Sequence, residues 1–172
     1  WGVVVGGSTE PLMKMLNPYF ARMHGYSVEE LEGASILKVF APTEHQSLMS
    51  HIRKAHERGH YCFESVHVRK DGSQFPVLID VTAVKNDQGE VLYRIASVLD
   101  ISERKQMEAK LTEREQMIRM IVDTQTELIS RWLPDSTLTF VNQALCRFIG
   151  RKESDMIGKR WLEQHWIRED QI

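Results

Sequence analysis

Several features are scarce in this chain, and each scarcity closes off a class of function. Cys62 and Cys146 are the only cysteines among 172 residues. Two thiols without a CxxC spacing build neither a disulfide framework nor a thiolate metal centre. That fits a reducing compartment, so a cytoplasmic segment is expected, with both thiols buried as small hydrophobes. The longest apolar run, Trp1 to Val5, is about five residues. A membrane helix needs about twenty, so this segment is not expected to contact a membrane. Excess charge is missing as well: 22 basic and 24 acidic residues leave −2. Such a balance gives no broad field to attract nucleic acid, which is not expected as a partner. Catalytic motifs are also wanting. There is no Gly-rich phosphate loop, no GxSxG, no HExxH and no phospho-acceptor His followed by Glu-Leu-Arg. No catalytic residue is assigned, and the fragment is not expected to be an enzyme. The first residue is Trp, so the chain reads as a piece of a longer parent, in which a membrane anchor is left open.

What is present is a soluble globular composition, 42% hydrophobic and 27% charged, together with an internal repeat. Asn17-Pro-Tyr-Phe-Ala-Arg-Met-His-Gly25 and Asn142-Gln-Ala-Leu-Cys-Arg-Phe-Ile-Gly150 stand 125 residues apart. Gly33 and Gly158 keep that offset, as do Leu31 and Met156, and Leu37 and Leu162. Upstream, Val3-Val4 lies opposite Leu128-Ile129. In each copy an apolar strand ends in an Asn that can cap a short helix. Residues 19, 20 and 23, or 144, 145 and 148, are expected to form the inward helix face. A Gly then stops the helix in a left-handed conformation. Ser27-Val-Glu-Glu30 is a capping box for a second short helix, whereas copy two has Lys152 in place of Ser27 and loses that cap.

Between the copies, Thr43 to about Arg58 reads as a longer helix with Leu48, Ile52 and Ala55 on one face. Three strands follow, Tyr61–Lys70, Phe75–Val84 and Val91–Leu99. They are joined by turns at Asp71-Gly72 and at Asn86-Asp-Gln-Gly89, so they must be antiparallel. The fold class is α+β, an antiparallel sheet with helices gathered on one face. From Ser102 to about Thr124 the chain is charged and helical, and Met107, Leu111, Ile118 and Ile121 form a heptad seam interrupted by Arg114. The segment is either a connecting helix with a sticky seam or a helix that folds back on its own sheet.

Asn17-Pro-Tyr-Phe through Gly33, Arg69-Lys-Asp-Gly72 and Asp100-Ile-Ser-Glu-Arg-Lys105 resemble successive signature segments of a PAS domain with its PAC region. Glu127 to Gly158 is similar to the first half of a second one. The resemblance implies a PAS domain over 1–101, with a five-stranded antiparallel sheet, a connecting signalling helix over 102–123, and the N-terminal half of a second PAS domain over 124–172. That second copy lacks its closing strands and is expected to be partly ordered or held by a partner. The family senses small ligands, redox state, light or gases, or simply dimerises, and hands the result through a helix to an output domain. The expected partners are a second copy of the chain and an output domain in the same parent, of the histidine kinase or diguanylate cyclase type. A ligand-free interaction scaffold is the alternative. Asp100, Ile101, Ser102 and Arg104 would form the hand-over, with Asp100 pairing with Arg104 or capping the helix.

Flavin photosensor relatives carry a reactive cysteine where this chain has Gly33-Ala-Ser-Ile-Leu-Lys-Val-Phe-Ala, so a photoadduct is not expected. Haem relatives place an axial His near what is here Leu48. Only His51 is close, and haem is not favoured. His56, His60 and Cys62 span a helix end, a glycine and a strand start, and are not expected to converge on a metal. No cofactor is the first expectation, with a non-covalent flavin or a small organic ligand also compatible. The cleft lining would be Phe20, Met23, Phe40, Leu48, Ile52, Phe63, Ile79, Val81 and Ala96, unless these form an ordinary filled core. No carboxylate or Arg is expected to point into it, so no charged metabolite is indicated. Ser65 and His67 could add polar contacts, but the pattern does not fix the strand phase there.

Overall fold

A computed structural model describes residues 1–8 and 10–163, and the chain divides into two compact units, Trp1–Met107 and Glu108–Ile172. The end of the expected second domain, 164–172, lies outside the described residues.

In the first unit, strands β1 (Gly2–Gly7) and β2 (Met13–Leu16) precede helices α1 (Pro18–Met23) and α2 (Val28–Leu31). After two 3-10 turns come helix α3 (His45–Arg58) and strands β3 (His60–Val68), β4 (Gln74–Lys85) and β5 (Val91–Asp100). They form one antiparallel sheet in the order β2-β1-β5-β4-β3, so the last strand closes against the first. This is the five-stranded α+β architecture the sequence implies.

The β3–β4 turn is set locally. Asp71 accepts from the Ser73 N–H at 2.8 Å, and Gly72 adopts φ +84°, a conformation side chains resist. Alternation then decides which face is buried. Phe75, Val77, Ile79, Val81 and Ala83 of β4 all point into the core, where they meet Phe20, Leu31, Val39 and Leu48. Each of the larger ones, Phe75, Val77, Ile79 and Val81, contributes roughly 1.5–3 kcal/mol when fully buried. Helix α1 can lie against β1 because Gly2 has no side chain: a methyl there would come within 2.9 Å of Met23 Sδ and 3.2 Å of Phe20 Cα.

In the second unit, strands β6 (Ser130–Trp132) and β7 (Leu138–Val141) pair antiparallel, followed by helices α5 (Gln143–Ile149) and α6 (Glu153–Met156). Leu138, Val141, Leu145, Cys146, Ile149 and Met156 form its core. The connecting helix, α4 (Ser102–Thr124), has no buried side chain.

The repeat extends to individual hydrogen bonds. Met13 N–H donates to Ala34 O, Gly33 N–H to Met13 O, and Ile36 N–H to Pro11 O. The same three bonds recur as Leu138 to Lys159, Gly158 to Leu138, and Trp161 to Ser136. Asn17 Oδ1 accepts from Phe20 and Val3, and Asn142 Oδ1 from Leu145 and Ile129. Val3 therefore corresponds to Ile129 rather than Leu128, one residue off the constant offset. Gly25, Gly33, Gly150 and Gly158 all sit at positive φ. The Ser27–Glu30 capping box is complete, while Lys152 provides no side-chain cap.

Two sequence expectations need correction. The inward face of α1 is Phe20 and Ala21 and continues to His24, with Tyr19 exposed; in α5 Ala144 and Leu145 are buried as expected, together with Cys146 and Ile149, while Phe148 is exposed. The face is thus turned by about one residue, because these helices are too short for an apolar stripe to fix their rotation. Cys62 is exposed, since even-numbered residues of β3 face away from the core.

Candidate ligand cavity and its link to the connecting helix

Between the sheet and the helices of the first unit is a cavity of about 70 Å³ with an almost wholly apolar lining. Phe20, Phe40, Leu48 and Ile52 line it from the helical side, and Phe63, Ile79, Val81 and Ala96 from the sheet. Met23, expected with them, instead borders a surface groove with Tyr19, Arg22, Arg69 and Asp100. The turned helix face accounts for this.

Two polar side chains also line the cavity, His67 and Arg94. Arg94 overturns the expectation that no Arg points into the lining. It pairs across β5 with Gly6 and Ala83, and strand alternation sets it on the same face as Ala96 and Val98. Arg94 is 8% exposed, and its guanidinium donates to His56 Nε2 at 3.3 Å and Glu10 O at 3.2 Å. No described carboxylate is paired with it, and burial lowers its pKa.

His67 and Ser65 are buried, which fixes the phase of β3: odd-numbered residues face inward. Sequence reasoning missed His24, which is fully buried and touches His67. His24 Nδ1 lies 2.7 Å from Phe20 O, and its Nε2 lies 2.8 Å from His67 Nδ1. Burial lowers the pKa of His24 to about 4, and burial together with His24 drives that of His67 well below the usual histidine range. The repeat held the signal, since the residue equivalent to His24 is the apolar Ile149, a core position in the second unit.

His51, the residue nearest the expected haem position, stacks on Phe63 at 4.0 Å between ring centroids and does not line the cavity. His60 bonds Asp80 at 2.6 Å and His56 bonds Arg94, so these side chains are committed elsewhere. Among the described residues, no group of three His, Cys, Asp or Glu side chains could hold a metal. No helix of the described residues is long and apolar enough to cross a membrane.

At the end of β5, Asp100 meets Arg69, not Arg104: Arg69 Nη2 donates to Asp100 Oδ2 at 3.1 Å. Asp100 Oδ1 accepts from the Ser102 N–H at 2.8 Å, at the start of α4. Arg104 instead reaches Glu64 Oε1 at 2.7 Å, and Lys105 reaches Glu64 Oε2 at 2.7 Å. A side chain on the first turn of the helix points toward the outer side of β3, where Glu64 stands. Ile101 is buried. Along α4, Met107, Leu111, Ile118 and Ile121 are all at least half exposed, as are Met117 and Met120.

The chain has recognisable relatives. A transcriptional activator, "Bacterioopsin transcriptional activator" of Halobacterium salinarum, is 23% identical over 99% of this chain, which spans 26% of that protein. Phototropin-2 of Oryza sativa subsp. japonica is 29% identical over 58% of the chain and 11% of its own length. A solved sensory box histidine kinase/response regulator from Burkholderia thailandensis superposes with TM-score 0.56 at 22% identity, covering 69% of this chain and 90% of that one. The chain therefore spans only a small part of the curated relatives it matches. The family model described as PAS domain matches residues 3–103 and again 129–171. With most of its length matched by one model in two separate segments, and with the five-stranded sheet of the first, the chain belongs to the PAS domain family.

Proposed function

We propose that the first unit is a sensor whose cavity takes a small organic molecule, and that α4 carries the response toward an output domain elsewhere in the parent chain. The observation that carries this reading is the continuity of β5: Arg94, Ala96 and Val98 line the cavity, and two residues further on Asp100 holds the start of α4. Anything that presses on that face of β5 acts close to the helix junction.

The cavity size favours a small ligand over a flavin. About 70 Å³ is several times the ~10–15 Å³ that one ordered water requires, which suits a compact molecule rather than a tricyclic ring system. The phototropin relative keeps flavin in view as the runner-up. A histidine kinase or diguanylate cyclase is the output envisaged, the first in keeping with the sensory box histidine kinase that shares the fold. Native mass spectrometry and an absorbance spectrum of the purified chain test the ligand. Retention of a small colourless molecule, or a rise in melting temperature with one, supports the reading. A bound chromophore, or no small molecule that binds, contradicts it.

A second reading, a ligand-free dimerisation scaffold, is favoured by one observation: the exposed apolar seam of α4 at Met107, Leu111, Ile118 and Ile121. A homodimer through that seam is compatible with both readings, since a paired helix can also transmit a signal.

A further inference from the structure

We propose that the cavity recognises its ligand through a hydrogen-bond donor, a hydroxyl or N–H group, that meets Nε2 of His67. The inference rests on the ligand-cavity reading and specifies the chemistry of what enters.

The protonation of the buried pair follows from one carbonyl. Phe20 O can only accept, so the proton between it and His24, at 2.7 Å, sits on His24 Nδ1. His24 is neutral near pH 7, so it carries that one proton and its Nε2 is bare. The contact between His24 Nε2 and His67 Nδ1, at 2.8 Å, therefore has His67 Nδ1 as donor. His67 is neutral as well, which leaves its own Nε2 without a proton. That nitrogen is buried and has no hydrogen-bond partner.

Unpaired buried acceptors are rare in folded proteins, and this one belongs to a ring that lines a cavity. Phe40 and Phe75 pack edge-on to the His67 ring at 4.3 and 6.1 Å between centroids, which holds it in place. The fold does not demand a histidine at position 24: the second unit fills the equivalent place with Ile149. A hydrocarbon in the cavity would leave Nε2 unpaired, and a carboxylate or ether oxygen would set one lone pair against another. An alcohol, phenol or amide N–H satisfies it. Arg94, on the wall of the same cavity, offers donors to any acceptor oxygen the ligand carries.

Phenol and toluene, which differ by a hydroxyl in place of a methyl, test the inference on the full chain labelled with 15N-histidine. Phenol is expected to move the His67 Nε2 resonance in the direction of hydrogen bonding, and toluene to leave it in place. In His67→Phe the ratio of phenol to toluene affinity should fall about fivefold, the worth of one neutral hydrogen bond. If both probes bind the wild type and move Nε2 equally, or the ratio is unchanged in the variant, the donor inference is overturned and the cavity reading stands. If neither enters the wild-type cavity at millimolar concentration, both are overturned. Should His67→Phe fail to fold, the wild-type Nε2 resonance decides alone.

Discussion

Asp100 divides its carboxylate between two partners: Oδ2 accepts from Arg69 Nη2 at 3.1 Å while Oδ1 accepts from the Ser102 N–H at 2.8 Å. Arg69 in turn donates from Nε to Met23 O at 3.1 Å and lies over the Phe75 ring at 3.8 Å. The end of α1, the β3–β4 turn and the start of α4 thus converge on one ion pair. Asp100→Asn keeps an oxygen for Ser102 and loses the charge; Asp100→Ala loses both. The expected destabilisation is about 1 kcal/mol for Asn and about 2 kcal/mol for Ala, read from urea midpoints. Equal effects would mean that the bond to Ser102 adds nothing.

Acid should destabilise the first unit well before carboxylates titrate. Burial, assisted by Arg69 and opposed by the Phe20 carbonyl and Asp100, lowers the His24 pKa from 6.5 to about 4. Above pH 6.5 folded and unfolded chains both carry the neutral ring, and the group adds no pH dependence. Between 6.5 and about 4 the unfolded chain binds a proton the folded one does not, so stability falls with pH, by roughly 3 kcal/mol for this residue. His67, which faces it, acts in the same sense, as do His51 and His56. Urea titrations at pH 7.5 and 5.0 should show the loss, and His24→Phe should reduce it. A midpoint that does not move between those pH values contradicts the neutral pair.

Asn142 is the counterpart of Asn17, but it is tied more fully. Its Oδ1 accepts from Leu145 and Ile129, and its Nδ2 donates to Val122 O and Glu127 O. It is completely buried. Asn142→Ala is expected to destabilise the second unit by about 2 kcal/mol. Faster hydrogen exchange at the Leu145 and Ile129 amides is the readout, and unchanged exchange there would count against the cap. Asn142→Asp should be no remedy, because it turns an acceptor toward two carbonyls.

Leu111 and Ile118 test the seam. They are 60% and 53% exposed, and a second copy of α4 would cover them. Leu111→Asp with Ile118→Asp should convert a dimer to a monomer in light scattering. An unchanged molar mass places any dimer contact elsewhere.

Strands, turns and the doubled Asn-to-Gly segment were legible because each leaves a short-range mark: alternation in β4, Asp-Gly and Asn-x-x-Gly at the turns, an Asn before the first short helix of each copy. What was not legible depended on phase or on distant partners. In β3 the inward positions include Ser65 and His67 while Val66 and Val68 face outward, so hydrophobicity points the wrong way there. Arg94 reads as a surface residue until pairing with Gly6 and Ala83 sets it on the inward face of β5 beside Ala96 and Val98. Asp100 was expected to pair with Arg104 or to cap the helix; it does accept from the Ser102 N–H at the helix start, but its cation is Arg69, brought in by the β3–β4 turn. His24 occupies the position that buried Ile149 holds in the second copy, but a histidine opposite an isoleucine carries no sign of burial in its own residue type.

Occupation of the cavity is proposed to be felt at the start of α4. An NMR titration of the full chain with a library of small alcohols, phenols and amides measures both ends at once. The account predicts that binders shift the methyl resonances of Ile52 and Ile79 and, with the same midpoint, the amide of Ser102. Cavity methyls that respond while Ser102 stays still, or a library that leaves the methyls untouched, would contradict it.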